Sequence, residues 1–243
     1  VLMLAQSDYE DGDYDAAMGK WLFLTKFAYT SQAETEIGKL YLKGEGVEQD
    51  DFEAVRWFQL AADNYDLGGI YYLGRQYLYG EGIEQNFDEA ARLFSLAAPF
   101  DHPAAKFHLG MMHMFGDGVE QDSQKSEMLI VQALENGGYE VRYDLGGFYF
   151  LGNWKSRPDR DNYDPLEAMK WLFLASADGN QAAFERLEEV AQTMTSEEAA
   201  QAAAAAADWV QENTAGTVQT PDLEAEEGEA PEQGEPPADQ QSP

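Results

Sequence analysis

Three histidines and a recurring acidic loop between glycines are the features of this chain best suited to chemistry. The loop reads GEGVEQD at 44–50, GEGIEQN at 80–86 and GDGVEQD at 116–122, a spacing of 36 residues. Carboxylates beside glycine suit a calcium loop, and exposed backbone amides suit a phosphate cradle. An EF-hand needs acidic or amide side chains at alternate positions before its glycine and a glutamate after it. In SDYEDGDYD those positions are Ser7, Tyr9 and Asp11 ahead of Gly12, and the closing position is Met18, so the match fails. No Lys-Ser or Lys-Thr pair follows the last glycine of any copy, which removes the phosphate loop. His108 and His113 are five apart, off the i, i+4 spacing that puts two ligands on one helix face, and His102 precedes Pro103 in a turn. The absence of cysteine excludes disulfides, thiolate metal sites and a cysteine nucleophile. No histidine is placed to activate a serine, and among 46 Asp and Glu a carboxylate pair means nothing without geometry. No catalytic residue, metal or cofactor is expected.

The loop is better explained by the elements around it. Ile37-Gly38, Leu73-Gly74, Leu109-Gly110 and Leu145-Gly146 recur every 36 residues, each followed four positions on by Tyr41, Tyr77, His113 and Tyr149. Ala54 matches Ala90, Trp57 matches Leu93, and Ala61 matches Ala97 and Ala133; after six inserted residues the fourth copy gives Ala168, Trp171 and Ala175. Trp21 lies 36 before Trp57, which predicts a degenerate copy ahead of the first full one. Each unit reads as two amphipathic helices, A and B. Gly44 would end helix A of the first copy (33–43) in a left-handed conformation, Val47 would plug the gap between the helices, and Asp50 with Glu53 would open helix B as a capping box. Asn86 with Glu89 repeats the box, and Asp164-Pro165-Leu166-Glu167 is a further version. Gly38 and Ala61 would let the helices approach closely. The loop is a helix stop, a plug and a helix start.

These residues carry a family resemblance. AETEIGKLYLKGEGVEQDDFEAVRWFQLAAD resembles a Sel-one-like repeat, a member of the tetratricopeptide-type helical repeats. The shared pattern is A-x-x-x-L/I-G-x-x-Y-x-x-G-x-G-V/I-x-x-D followed by A-x-x-W/L-F-x-x-A-A. Further copies span roughly 69–100, 105–137 and 141–179; the third diverges in helix B and the fourth lacks the second glycine. The resemblance implies an all-α fold, a right-handed α-solenoid of helix-turn-helix repeats that serves as an adaptor or scaffold for protein complexes. It also implies an alternative, because a cysteine-rich branch of the family is linked to β-lactam binding and weak hydrolysis. This chain lacks those cysteines.

The expected organisation is an N-terminal capping helical pair at 1–32, four repeats at 33–180, C-terminal capping helices at 181–213, and an acidic tail at 214–243. Leu2, Ala5 and Tyr9 fall at helical spacing, Thr195-Ser196-Glu197-Glu198 is a capping box, and Trp209 would anchor the last helix. The tail has eight acidic residues, five prolines and no Lys or Arg, a composition expected to be disordered.

Resemblance places helix A on the concave surface, and there the positions that vary between copies form one stripe. It comprises Gln32, Glu36, Lys39 and Lys43, then Gly68, Tyr72, Arg75 and Tyr79, then Ala104, His108, Met111 and Phe115, then Glu140, Asp144, Gly147 and Leu151. Tyr, Arg and Met are enriched at the centres of protein interfaces. The partner-binding groove is therefore expected to use Lys39, Lys43, Tyr72, Arg75, Tyr79, His108, Met111 and Phe115 on a protein or peptide ligand. The competing reading packs Tyr72, Tyr79 and Phe115 between repeats. A secondary contact loop is expected at Trp154, Lys155, Arg157 and Arg160 in the insertion 152–165.

A net charge of −31 disfavours nucleic acid and anionic lipid as partners, and no apolar run reaches the length that spans a bilayer. A monomer is expected. The chain begins at Val1, so an exported protein without its signal peptide and a cytoplasmic one both remain open.

Overall fold

A computed structural model describes residues 1–27, 30–151, 164–177 and 181–213. The described residues are all-α. Five hairpins follow one another: α1 (Leu2–Glu10) with α2 (Tyr14–Phe27), α3 (Ser31–Lys43) with α4 (Asp51–Asp63), α5 (Leu67–Tyr79) with α6 (Phe87–Ala97), α7 (Pro103–Phe115) with α8 (Ser123–Asn136), and α9 (Gly138–Leu151) with α10 (Pro165–Ala177). A 3-10 turn at Ala98–Phe100 leads into α7, and α11 (Gln181–Ala191) and α12 (Ser196–Asn213) close the array. Each A helix packs on its own B helix, and each B helix packs on the A helix of the next unit. This is an α-solenoid, in which each repeat buries its apolar face against its neighbours. No described helix is long and apolar enough to cross a membrane.

The repeated loop does what its glycines imply. Gly44, Gly80 and Gly116 end their A helices at φ of 71°, 69° and 73°, donating back to the carbonyls of Leu40, Gln76 and Met112. The chain then returns to the A helix: the backbone N–H of Asp50, Asn86 and Asp122 donates to the carbonyl of Tyr41, Tyr77 and His113 at 2.9–3.0 Å. Asp164 makes the same bond to Tyr149 at 3.0 Å, so the longer fourth connection starts its B helix from the same anchor. The second glycine has a separate task. A Cβ on Gly82 would lie 2.3 Å from the Asp51 carbonyl oxygen, and one on Gly118 would lie 2.2 Å from that of Phe87. Each loop thus rests its backbone on the first turn of the preceding B helix.

Within the repeats, half of each expected capping box forms. Asp50 accepts from the amides of Phe52 and Glu53, Asn86 from Glu89, and Asp164 from Leu166 and Glu167. Glu53 and Glu89 turn outward to Arg56 and Arg92 rather than back to the cap, since a cation one turn on competes for the carboxylate. Thr195 and Glu198 form the full reciprocal box.

The core runs along the A–B interfaces. Phe58 packs where a side chain on Gly38 would clash, 2.5 Å from its ring, and Phe94 stands over Gly74 in the same way. Trp21 corrects the sequence register. In α2 the buried positions are Ala17, Trp21 and Leu24, which fall 37 residues before Ala54, Phe58 and Ala61 of α4. Trp21 therefore fills the slot of Phe58, not that of Trp57, because α2 runs one residue further past its last buried position, Leu24, than α4 runs past Ala61.

Tyr65 turns the chain from α4 into α5 at φ 60° with its side chain 86% exposed. An L-residue pays roughly 1 kcal/mol for this left-handed conformation, and asparagine pays less. Tyr65→Asn should therefore raise stability by about 0.5–1 kcal/mol, read as a higher midpoint in urea; an unchanged or lower midpoint would refute the strain.

Candidate functional site

The A helices carry the candidate groove, and the structure divides the expected stripe in two. In the N-terminal half the stripe is accessible. Gln32 and Glu36 of α3 face Met3, Gln6, Ser7 and Glu10 of α1 across a cleft of about 390 Å3. Next to it, Lys39 donates to Glu36 at 2.8 Å and stands 5.9 Å from the ring centre of Tyr72. Lys43 donates to the Tyr9 hydroxyl at 2.8 Å and lies 5.5 Å from its ring, while Tyr9 donates to Glu45 at 2.8 Å. In α5, Tyr72 stacks on Phe58 at 5.0 Å with 14° between the rings, and Arg75 lies 5.6 Å from the ring of Tyr79. Cation and tyrosine therefore alternate along the surface from α1 to α5.

In the third copy the expectation of ligand contact meets the core. His108, Met111 and Phe115 are buried, as is every residue of α7 from Ala104 on. The cause is the composition of the helix, PAAKFHLGMMHMF, which is apolar nearly all round and so has no face to give to solvent. A ligand reaches these three only if the packing rearranges. Tyr72 and Tyr79 are half-buried, so they both pack between repeats and present surface. In the fourth copy Asp144 is partly buried and Gly147 lies near Arg186; the side chains of Glu140 and Leu151 lie outside the described residues. Trp154, Lys155, Arg157, Arg160 and the tail 214–243 also lie outside them.

Beneath the groove sits a polar cluster that sequence spacing did not single out. His108 is enclosed by Tyr71 at 5.6 Å, Phe94 at 5.1 Å, Phe107 at 5.6 Å and Tyr79 at 6.3 Å, and its Nδ1 is 4.0 Å from an Asp144 oxygen. Burial, then the Arg75 guanidinium, then His102 hold His108 well below the ordinary histidine range, and these outweigh the distant Asp144 carboxylate. Tyr71 is pushed up by burial first and by Asp144 next. The imidazole is thus a neutral core group. A histidine kept neutral when folded loses stability as pH falls below its unfolded value of about 6.5, where the unfolded chain takes up a proton that the native one refuses. Between pH 6.5 and 5.5 the native protein should lose up to about 1.4 kcal/mol more stability than His108→Gln. Parallel pH profiles for the two proteins would contradict this. The sequence signal for the cluster was that His108, Arg75 and Asp144 are stripe positions and Tyr71 stands beside one; the convergence of α5, α6, α7 and α9 on one point is tertiary.

Among the described residues no three His, Asp or Glu converge to hold a metal ion. His113 uses its Nδ1 on the Glu120 carbonyl at 2.9 Å, a loop bond in the place of the tyrosines of other copies.

Tandem helical hairpins packed in succession define a helical-repeat protein. The family model described as Sel1 repeat matches residues 31–66, 68–98, 103–138 and 140–180, and the chain belongs to the Sel1 repeat family. Such proteins are generally protein-interaction scaffolds rather than enzymes. Among solved structures, the chain is similar to a Sel1 repeat protein from Oxalobacter formigenes, at 25% identity and a TM-score of 0.55, over 86% of this chain and 84% of that one. It is also similar to a Sel1 repeat protein from Klebsiella pneumoniae, at 16% identity and a TM-score of 0.54, over 78% of this chain and 91% of that one, a likeness of fold. A comparison with curated proteins finds no match.

Proposed function

We propose that this chain binds an extended segment of a partner protein along the A-helix surface from α1 to α5. The observation that supports this reading is the alternation of Tyr9, Lys43, Lys39, Tyr72, Arg75 and Tyr79 beside the Gln32–Glu36 cleft. Tyrosine and arginine supply much of the energy of protein interfaces when they lie in a desolvated centre. The lysines and Arg75 are already engaged by Glu36, Tyr9 and Tyr79, so they are held in place before a ligand arrives, which lowers the ordering cost of binding. A ligand carboxylate would compete with Glu36 for Lys39, and an apolar side chain would enter the cleft beside Met3.

The test compares two immobilised baits in native lysate, the chain as it stands and a Lys39→Glu, Tyr72→Leu variant whose circular dichroism melt matches it. A protein captured by the first should be at least about tenfold depleted on the second, a loss of about 1.4 kcal/mol or more. Equal capture by both baits would remove the A-helix surface from the reading.

A further inference from the structure

The cleft between α1 and α3 is polarised along its length. Leu2 and Met3 line the end at the start of α1, and Glu10 lines it two turns on, about 11 Å along the helix axis. Gln32 and Glu36, one turn apart on α3, form the facing wall. Met3 is 86% exposed, and the Gln6 amide donates to Glu10 at 3.1 Å, which steadies that carboxylate on its own helix. The charged residues of the lining are Glu10 and Glu36, both acidic. Lysines of α2 and α3 are engaged: Lys20 pairs with Asp8, Lys43 donates to Tyr9, and Lys39 donates to one oxygen of Glu36 at 2.8 Å. Lys39 thus offsets one of the two lining carboxylates, and the cleft stays acidic.

On the reading that the A-helix surface binds a partner segment, we infer that the α1–α3 cleft takes a basic side chain of that segment, arginine or lysine. Its methylene stem lies beside Leu2 and Met3, and its cation meets Glu10 and Glu36. Long basic side chains cover apolar surface with their stems and keep the charged head among polar groups, which is the order of groups along this cleft. An acidic side chain would meet two like charges there. A purely apolar one would strip water from the carboxylates and return no charge. The volume of about 390 Å3 is near the lower end for small-ligand sites, about 300–1,000 Å3, and suits one long side chain rather than a helix. The net charge of −31 draws cations toward the protein and favours the encounter. The apolar group that enters beside Met3 is then the stem of this side chain.

The probe is a phage-displayed library of random linear dodecapeptides, selected on the native chain. Enriched peptides are remade with fluorescein and titrated by anisotropy at physiological salt. They should share a basic residue at one position. Exchanging it for norleucine, which keeps the stem and removes the charge, should weaken binding to the native chain at least about fivefold, and to a Glu10→Gln variant less than about twofold. Glu10→Gln leaves the Lys39–Glu36 bond in place and alters an exposed position, and circular dichroism checks its fold. A Met3→Ser variant should weaken the native peptide and its norleucine form alike, since both carry the stem. A Tyr72→Leu variant reports on the rest of the groove. Peptides that respond to Tyr72→Leu but show the same norleucine penalty on Glu10→Gln as on the native chain would overturn the basic subsite and leave the groove standing. Peptides that respond to Glu10→Gln and not to Tyr72→Leu would uphold the subsite and confine binding to it. A library that yields no enriched peptide on the native chain would overturn both.

Discussion

Phe94→Ala should cost about 3–5 kcal/mol, the range for emptying a buried aromatic site. Phe94 has no exposed surface, its ring stands edge-on to His108 at 5.1 Å and 6.0 Å from Tyr71, and the space it fills is set by Gly74 on the facing helix. Deleting the ring removes the transfer energy of its carbons and leaves a void that α5 and α7 cannot close, because both are held by their own loops. It would also open His108 and Arg75 to water, so the pH dependence assigned to His108 should shrink in the same variant. Domains of this size are stable by about 5–15 kcal/mol, so the loss is a large share of the total. In a solenoid the damage also weakens the junctions on either side, since stability is the sum of repeat and interface terms. Urea unfolding followed by far-UV circular dichroism measures it. A loss below about 1 kcal/mol would mean that Phe94 is not the centre of the second repeat.

Gly82→Ala is the second large effect. Its φ of 69° costs an L-residue about 1 kcal/mol or more, and its new Cβ would lie 2.3 Å from the Asp51 carbonyl oxygen, which belongs to the preceding repeat. Backbone cannot swing aside as a side chain can, so the loop must lift off α4, for a total of about 2–4 kcal/mol. Gly44→Ala is the control. Its φ of 71° imposes the same strain, but its Cβ would meet Gln49 Cβ at 3.3 Å, a contact that needs only a small shift. The order of loss should be Gly82→Ala well above Gly44→Ala. Equal losses would show that both glycines serve only as turns, and that the loop does not join one repeat to the next.

These two glycines also mark where sequence reading stops. That Gly44 ends a helix was legible, because a glycine between an amphipathic A helix and an acidic cap has few other uses. That Gly46, Gly82 and Gly118 touch the preceding B helix was not, since the partners Tyr14, Asp51 and Phe87 share no residue type and contribute mainly backbone. Trp21 was misaligned by one residue for a related reason. Tryptophan matched tryptophan in the text, whereas packing matches volume at a position, and that position holds Phe58 in the next repeat.

The groove shows the same limit. Period, helix pairing and the identity of the stripe came from spacing alone. Whether a stripe residue meets solvent depends on what the neighbouring helix leaves uncovered. Tyr72 and Arg75 keep some surface, whereas His108, Met111 and Phe115 at equivalent spacing are closed in by the wholly apolar α7. That Phe23, Leu60 and Leu96 stay exposed while the equivalent Leu174 is buried was invisible in the chain text, because exposed and buried leucines read alike. The sequence by itself determined the repeat, its caps and its family, since those rest on local turns, helix periodicity and residues that recur at one interval. Only the tertiary structure decided which apolar positions are core and which are surface, because burial is a property of the neighbours that each repeat acquires when the helices of the array pack together.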